Sequence, residues 1–180
     1  MPRAGIALGS NLGDRIARLR DAFVRLREIA TPGEPVLTAP IYQTEPRFCP
    51  PGSPYFYNTV VEIEFAGGAL ELLEKTRSIE QQLGRLPNGE RNAPRVIDID
   101  LLYLGDESRN DGGLILPHPR LAERRFVLQP LSDLRPDLVL PGQTQTIAAM
   151  LAALQTDEPP LVPVQRQGCL SETSVRMDCQ

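Results

Sequence analysis

Apolar and polar positions follow two periods along this chain, and the period changes wherever turn residues interrupt it. Arg3 to Leu8 is a short apolar run ending in Gly9-Ser10-Asn11, which predicts a strand and a turn. From Asp14 the period becomes helical. Ile16, Leu19, Phe23, Leu26 and Ile29 recur three and four apart, predicting an amphipathic helix over 14–30 with Asp14 as its cap. Val36 to Thr44 reads as a second strand. The segment 45–54 carries four prolines and a glycine and reads as a loop. Phe56 to Phe65 reads as a third strand, with Thr59, Val61, Ile63 and Phe65 on one face and Asn58, Val60, Glu62 and Glu64 on the other. Leu70, Leu73, Ile79 and Leu83 mark a helix over 69–83, closed by Gly84. After a polar loop, Val96 to Tyr103 forms a fourth strand. Ile97, Ile99 and Leu101 face one way; Asp98 and Asp100 face the other with Val96 and Leu102. Beyond Gly105 the pattern weakens. It gives a short strand at 114–116, a rigid Pro117-His118-Pro119, a helix over 121–131, an Ala-rich helix over 146–155 and a strand remnant after Asp157.

The first half thus runs β-α-β-β-α-β, the order of a ferredoxin-like α+β sandwich: an antiparallel sheet with helices packed on one face, plus a C-terminal extension. Residues 1–160 are expected to form one domain, with 161–180 a partly disordered tail. Asp98 and Asp100 are expected on the sheet face away from the two helices.

Composition narrows the function. The 180 residues are 41% hydrophobic and 23% charged, which suits a soluble globular domain with a real core. Net charge is −4, so there is no global basic field for nucleic acid. No run reaches the roughly 18 apolar residues of a membrane span. Cys49, Cys169 and Cys179 fit neither a disulfide framework nor a zinc pattern. A cytoplasmic protein is expected, and no segment reads as a signal peptide.

Candidate chemistry centres on Asp98 and Asp100. Two residues along a strand is about 6.5 Å, so the carboxylates share one surface. Such a pair in an apolar face suits a hard cation such as Mg²⁺. It equally suits an edge strand with a solvated face, and the motif alone does not separate the two. Arg91 and Arg95 just upstream point to an anionic ligand. Arg85, Arg120, Arg124 and Arg125 add to that, with Arg91 and Arg125 the expected bystanders; Arg120 and Arg124 would share a helical face. His118, the only histidine, could donate to phosphate or be structural. Gly9-Ser10-Asn11-Leu12-Gly13 reads as a plain connector, without the pattern of a P-loop. Asn58, beside Phe56 and Tyr57, could read a heterocycle edge, and Phe126 is most simply a core residue.

Taken together, ALGSNLGDR, YQTEP, YNTVVEIEF, IEQQLGR, RNAPRVIDIDLLYLG and LPHPRLAERRFVLQPL, in this order over about residues 5–142, resemble the 6-hydroxymethyl-7,8-dihydropterin pyrophosphokinases of folate biosynthesis. The resemblance implies a ferredoxin-like α+β fold and transfer of pyrophosphate from ATP to the pterin's hydroxymethyl group, giving AMP. It implies two Mg²⁺ ions on Asp98 and Asp100, with Arg85 and Arg95 completing the catalytic set. It places ATP against Glu80, Arg85, Arg95, Leu101, His118 and Arg124. It places the pterin against Thr44, Phe56, Asn58 and Phe126, with Thr44 acting through its backbone. It makes 45–54 and 84–94 closing loops. Pro87, Asn92 and Gly113 depart from the family pattern. The implied partners are small molecules only, for a monofunctional and monomeric enzyme. Two other classes share the acidic pair's pattern: a different metal-dependent phospho- or nucleotidyltransferase, and a ferredoxin-like binding module without chemistry.

Overall fold

The computed structural model describes residues 1–46, 49–85, 95–111 and 113–164. The expectations for Pro87, Arg91, Asn92 and the tail from 165 onward lie outside the described residues. Strand β1 (Arg3–Ser10) leads into helix α1 (Arg15–Ile29), and the Asp14 carboxylate accepts from the Ala17 N–H at 3.0 Å, as the cap requires. The expected strand over 36–44 is two strands, β2 (Leu37–Thr38) and β3 (Tyr42–Thr44). Pro40 breaks it, having no N–H for the ladder. Strand β4 (Phe56–Glu64), helix α2 (Ala69–Gln82) and strand β5 (Asp98–Leu104) follow close to the predicted spans.

A small two-stranded sheet pairs β6 (Arg109–Asn110) with β7 (Ile115–Leu116). A 3₁₀ turn at Leu121–Glu123 precedes helix α3 (Arg125–Leu134). The expected single helix from 121 is therefore broken, and Arg120 and Arg124 flank the turn rather than share a helical face. Helix α4 (Ile147–Ala153) and strand β8 (Val162–Pro163) complete the described chain.

The main sheet runs β5-β1-β4-β3-β8, with β2 also on β4, and every pairing is antiparallel. On one face α1 and α2 bury Leu19, Leu26 and Leu72 against Ile6, Leu8 and Ile63. Each such side chain contributes about 2 kcal/mol of transfer free energy. The opposite face was expected to be open, but α3 and α4 cover part of it. Leu128, Leu131 and Ile147 form a second core there with Val60, Leu102 and Tyr103.

A β-bulge in β5 builds that second core. Gly5 faces Tyr103 and Ile6 faces Leu101, so Leu102 is the extra residue, and Leu102 and Tyr103 both join the second core. A Cβ on Gly5 would lie 2.1 Å from the Tyr103 ring, so only glycine fits under it. What the helices leave uncovered is the end of this face that carries Asp98 and Asp100.

Candidate active site

The site is laid out by sheet register. One row of neighbouring residues reads Asp98–Gly9–Asn58–Tyr42 across β5, β1, β4 and β3. Strands are about 4.8 Å apart, so Asp98 and Asn58 stand about 10 Å apart with Gly9 between them. In β1, Ala4, Ile6 and Leu8 point into the first core, leaving Gly5, Ala7 and Gly9 on the second face. Those small residues make a floor. A Cβ at Gly9 would sit 2.7 Å from Asn58 Oδ1. Above the floor is a cavity of about 630 Å³, within the ordinary range for ligand pockets.

At one end of the cavity the acidic pair is held among arginines. Asp98 Oδ1 accepts from Arg85 at 2.7 Å and Oδ2 from Arg95 at 2.9 Å. Arg124 lies 3.8 Å from Asp100. Burial, and then the neighbouring Asp98 charge, push the Asp100 carboxyl up to about 6 against the pull of Arg124, Arg85 and Arg95. Charge on Asp100 is therefore costly where it stands, and a hard dication on its oxygens would offset that cost. Among the described residues no three His, Cys, Asp or Glu side chains converge as ligands, so a cation here would complete its shell with ligand and water oxygens.

At the other end, Asn58 Nδ2 donates to Thr44 Oγ1 at 2.6 Å, which fixes the amide's orientation. Phe126 and Phe56 also line the cavity. The Arg124 guanidinium lies 5.5 Å from the Phe126 ring centre, joining the cationic end to the aromatic one. Phe126 packs on the second core yet faces the cavity, so it is more than a core residue.

Of the residues singled out from the sequence, Thr44, Phe56, Asn58, Arg95, Asp98, Asp100, Arg120, Arg124 and Phe126 line one and the same cavity. Arg85 reaches it through Asp98. Glu80, Leu101 and His118 are not among the residues that line it. Glu80 is buried; its carboxylate accepts from the Ile99 N–H at 2.7 Å and pairs with Arg85, so it closes the outer edge of β5 and holds Arg85 in place. Leu101 is 3% exposed and sits with Ile97 and Ile99 in the first core, because strand alternation points it away from the aspartates.

His118 is anchored by its own N–H to the Leu102 carbonyl at 2.8 Å, and its Nδ1 accepts from the Arg120 N–H at 3.2 Å. Burial, then Arg124 and Arg120, lower its pKa, so the ring is neutral and Nε2–H is its donor.

The glycine turn after β1 proves to be more than a connector. Ser10 and Asn11 are buried, and Ser10 Oγ donates to the Val96 carbonyl at 2.6 Å. Asn11 Oδ1 accepts from the Arg95 N–H at 2.7 Å, and Asn11 N–H donates to the Arg95 carbonyl at 3.1 Å. These bonds place Arg95 beside Asp98. A polar Ser-Asn directly after an apolar strand was the available signal, but Val96 and Arg95, which it binds, are over 80 residues away.

Residues 5–136 match the family described as 7,8-dihydro-6-hydroxymethylpterin-pyrophosphokinase (HPPK). A relative named 2-amino-4-hydroxy-6-hydroxymethyldihydropteridine pyrophosphokinase from Methylorubrum extorquens is 41% identical over 144 residues, covering 80% of this chain and 89% of its own. The protein of the same name from Bacillus subtilis is 41% identical, covering 73% and 77%. The folic acid synthesis protein fol1 of Pneumocystis carinii is 37% identical over 88% of this chain, which spans only 21% of that protein's length. Among solved structures, wild-type Plasmodium falciparum HPPK-DHPS with pterin and p-hydroxybenzoate superimposes with a TM-score of 0.64 at 16% identity. That match covers 84% of this chain and 42% of the other, and speaks for the fold.

Proposed function

The chain belongs to the 7,8-dihydro-6-hydroxymethylpterin-pyrophosphokinase family, and from that premise we propose that it transfers pyrophosphate from ATP to 6-hydroxymethyl-7,8-dihydropterin, releasing AMP, as a step of folate synthesis. The observation that carries the proposal is that one cavity has an arginine-flanked acidic pair at one end and an oriented amide with two phenylalanines at the other. The first end suits a polyphosphate with its cation, the second a flat heterocycle, and about 10 Å of open floor separates Asp98 from Asn58.

The reaction asks the protein for placement and charge. The substrate hydroxyl attacks the β-phosphorus, the new O–P bond forms, the bond from the β-phosphorus to the α-bridging oxygen breaks, and AMP leaves. The hydroxyl proton passes to solvent. Arg95 and Arg124 line the cavity and would donate to the phosphate oxygens, His118 Nε2–H would add a neutral donor, and Arg85 adds charge behind Asp98. Asp98 and Asp100 would hold Mg²⁺, two ions in this proposal, which when bound draws charge off the β- and γ-phosphates. Asn58 matches the heterocycle's donor–acceptor edge with both amide groups, and Phe126 and Phe56 cover its faces.

Mass spectrometry of a reaction holding ATP, Mg²⁺ and the dihydropterin alcohol is expected to show AMP and the pterin diphosphate in equal amounts, and neither without Mg²⁺. ADP, or diphosphate with an adenylated product, would instead identify another phospho- or nucleotidyltransferase. No turnover, with ligand binding indifferent to Mg²⁺, would identify a binding module.

A further inference from the structure

The described chain does not end with α4. Beyond Ala153 it returns to the sheet as β8, the edge strand on β3. Gln43 pairs with Val162, Tyr42 with Pro163, and the Val164 N–H donates to the Ile41 carbonyl at 2.8 Å. Residues 156–162 line the same cavity as Asn58 and Asp98. They lie outside residues 5–136 that match the family model.

Position in the sheet says which end of the cavity they wall. Asp98 and Asp100 sit on β5, at the opposite edge from β8, four strand spacings or about 19 Å away. Thr44 sits on β3, next to β8, and Asn58 one strand further in. The end of the segment that runs into β8, with Leu161 next to Val162, therefore lies beside the heterocycle end. The segment is also stiff. Pro159 and Pro160 fix two consecutive φ angles, and the segment is tied at one end by α4 and at the other by β8. A wall already ordered before the ligand arrives spends little entropy on binding. Leu161, half-buried between the prolines and β8, is its apolar contact.

We infer that the segment Thr156–Val162 is a wall of the heterocycle subsite and that Leu161 is a specificity-determining residue for the pterin. This rests on the proposed function only for the identity of the heterocycle. The predicted kinetic signature is one-sided. Leu161→Ala should raise KM for the pterin about tenfold, the effect of removing apolar contact from a binding pocket. kcat and KM for ATP should stay within about twofold, and Leu161→Met should restore the pterin KM. A merely structural role would lower the melting temperature and shift both KM values together.

A binding measurement independent of turnover completes the test. The chain contains no tryptophan, so Val162→Trp introduces a single indole at an exposed position on the wall. Adding 6-hydroxymethylpterin with a non-hydrolysable ATP analogue should quench that indole by energy transfer to the pterin, saturating at one pterin per chain. A Val24→Trp control on the far face of α1 should show little quenching. Unchanged pterin KM in Leu161→Ala, or equal quenching at both indoles, would overturn the wall assignment. If wild-type protein forms no AMP while the Val162→Trp signal still saturates, the proposed reaction fails and the wall stands.

Discussion

Asn11 and Arg95 exchange two hydrogen bonds, side-chain oxygen to backbone N–H at 2.7 Å and backbone N–H to carbonyl at 3.1 Å, although 84 residues separate them. The pair ties the turn after β1 to the start of β5, and so sets where the Arg95 guanidinium meets Asp98 at 2.9 Å. Asn11→Ala removes the acceptor and leaves a partly buried N–H unpaired. A misplacement of about 1 Å at a phosphate-binding arginine costs on the order of 100-fold in rate. The variant is expected to lose about 10- to 100-fold in kcat, with the pterin KM nearly unchanged. Steady-state kinetics with each substrate varied checks the split.

Thr44 and Asn58 are coupled in the same way at the heterocycle end. Thr44→Val keeps the shape of the side chain but removes the acceptor that orients the Asn58 amide at 2.6 Å. A site built to read polar edges loses discrimination when its amide is free to turn. Pterin affinity should fall about tenfold, and calorimetric titration in the presence of an ATP analogue should show it. Unaltered affinity would mean that Asn58 is oriented by something other than Thr44.

The two oxygens of Asp98 are each occupied by an arginine, Arg85 on Oδ1 and Arg95 on Oδ2. A divalent cation arriving alone competes with both guanidinium groups for Asp98 and meets their positive charge with nothing to offset it. Arriving with ATP, it brings phosphate oxygens that both arginines can take. Metal binding without nucleotide should therefore be weak, and a non-hydrolysable ATP analogue should tighten it at least tenfold. Mn²⁺ paramagnetic resonance reads this directly, with no turnover needed. Asp98→Ala should abolish the nucleotide-linked Mn²⁺ signal and slow single-turnover chemistry by at least about 100-fold.

How far the sequence carried this picture differs by element, for physical reasons. Helices α1 and α2 and strands β4 and β5 have strong single-period patterns, and their spans came out within a residue or two. The D-x-D carboxylates fell on the face opposite α1 and α2 because strand alternation is a local property. The cover of α3 and α4 over that face was not legible, since burying Leu102 and Tyr103 together depends on a bulge that breaks the alternation. Nor was the cavity floor: Gly5, Ala7 and Gly9 matter for the side-chain atoms they lack, which leaves no mark on hydropathy. Leu101 needs both levels: the resemblance assigns it to ATP, and the period-2 pattern turns its side chain toward the core with Ile97 and Ile99, which leaves its backbone for any such contact.

Glu62 supplies a stability test away from the cavity. Its carboxylate is 2% exposed on the second sheet face, four residues along β4 from Asn58. It pairs with Arg3, accepts from Arg135 at 2.6 Å, and accepts from the Tyr103 hydroxyl at 2.6 Å. Arg135 follows directly on the last residue of α3, so this cluster pins the C-terminal end of the helix whose first turn carries Phe126. Burial alone would raise the Glu62 pKa, but the hydrogen bonds from Arg135, Tyr103 and Arg3 outweigh it and hold the group below the usual glutamate value. A depressed folded-state pKa means that the native state releases this proton more readily than the unfolded chain. The stabilisation is therefore fully present above the unfolded value of about 4.3 and is lost as pH falls through the lower folded value. Glu62→Gln keeps the shape and removes the charge, and should cost about 1–3 kcal/mol at pH 7. Its penalty should shrink as pH drops below about 4. Urea unfolding of both proteins from pH 7 to pH 3 measures this, and a penalty independent of pH would show that Glu62 contributes packing rather than charge.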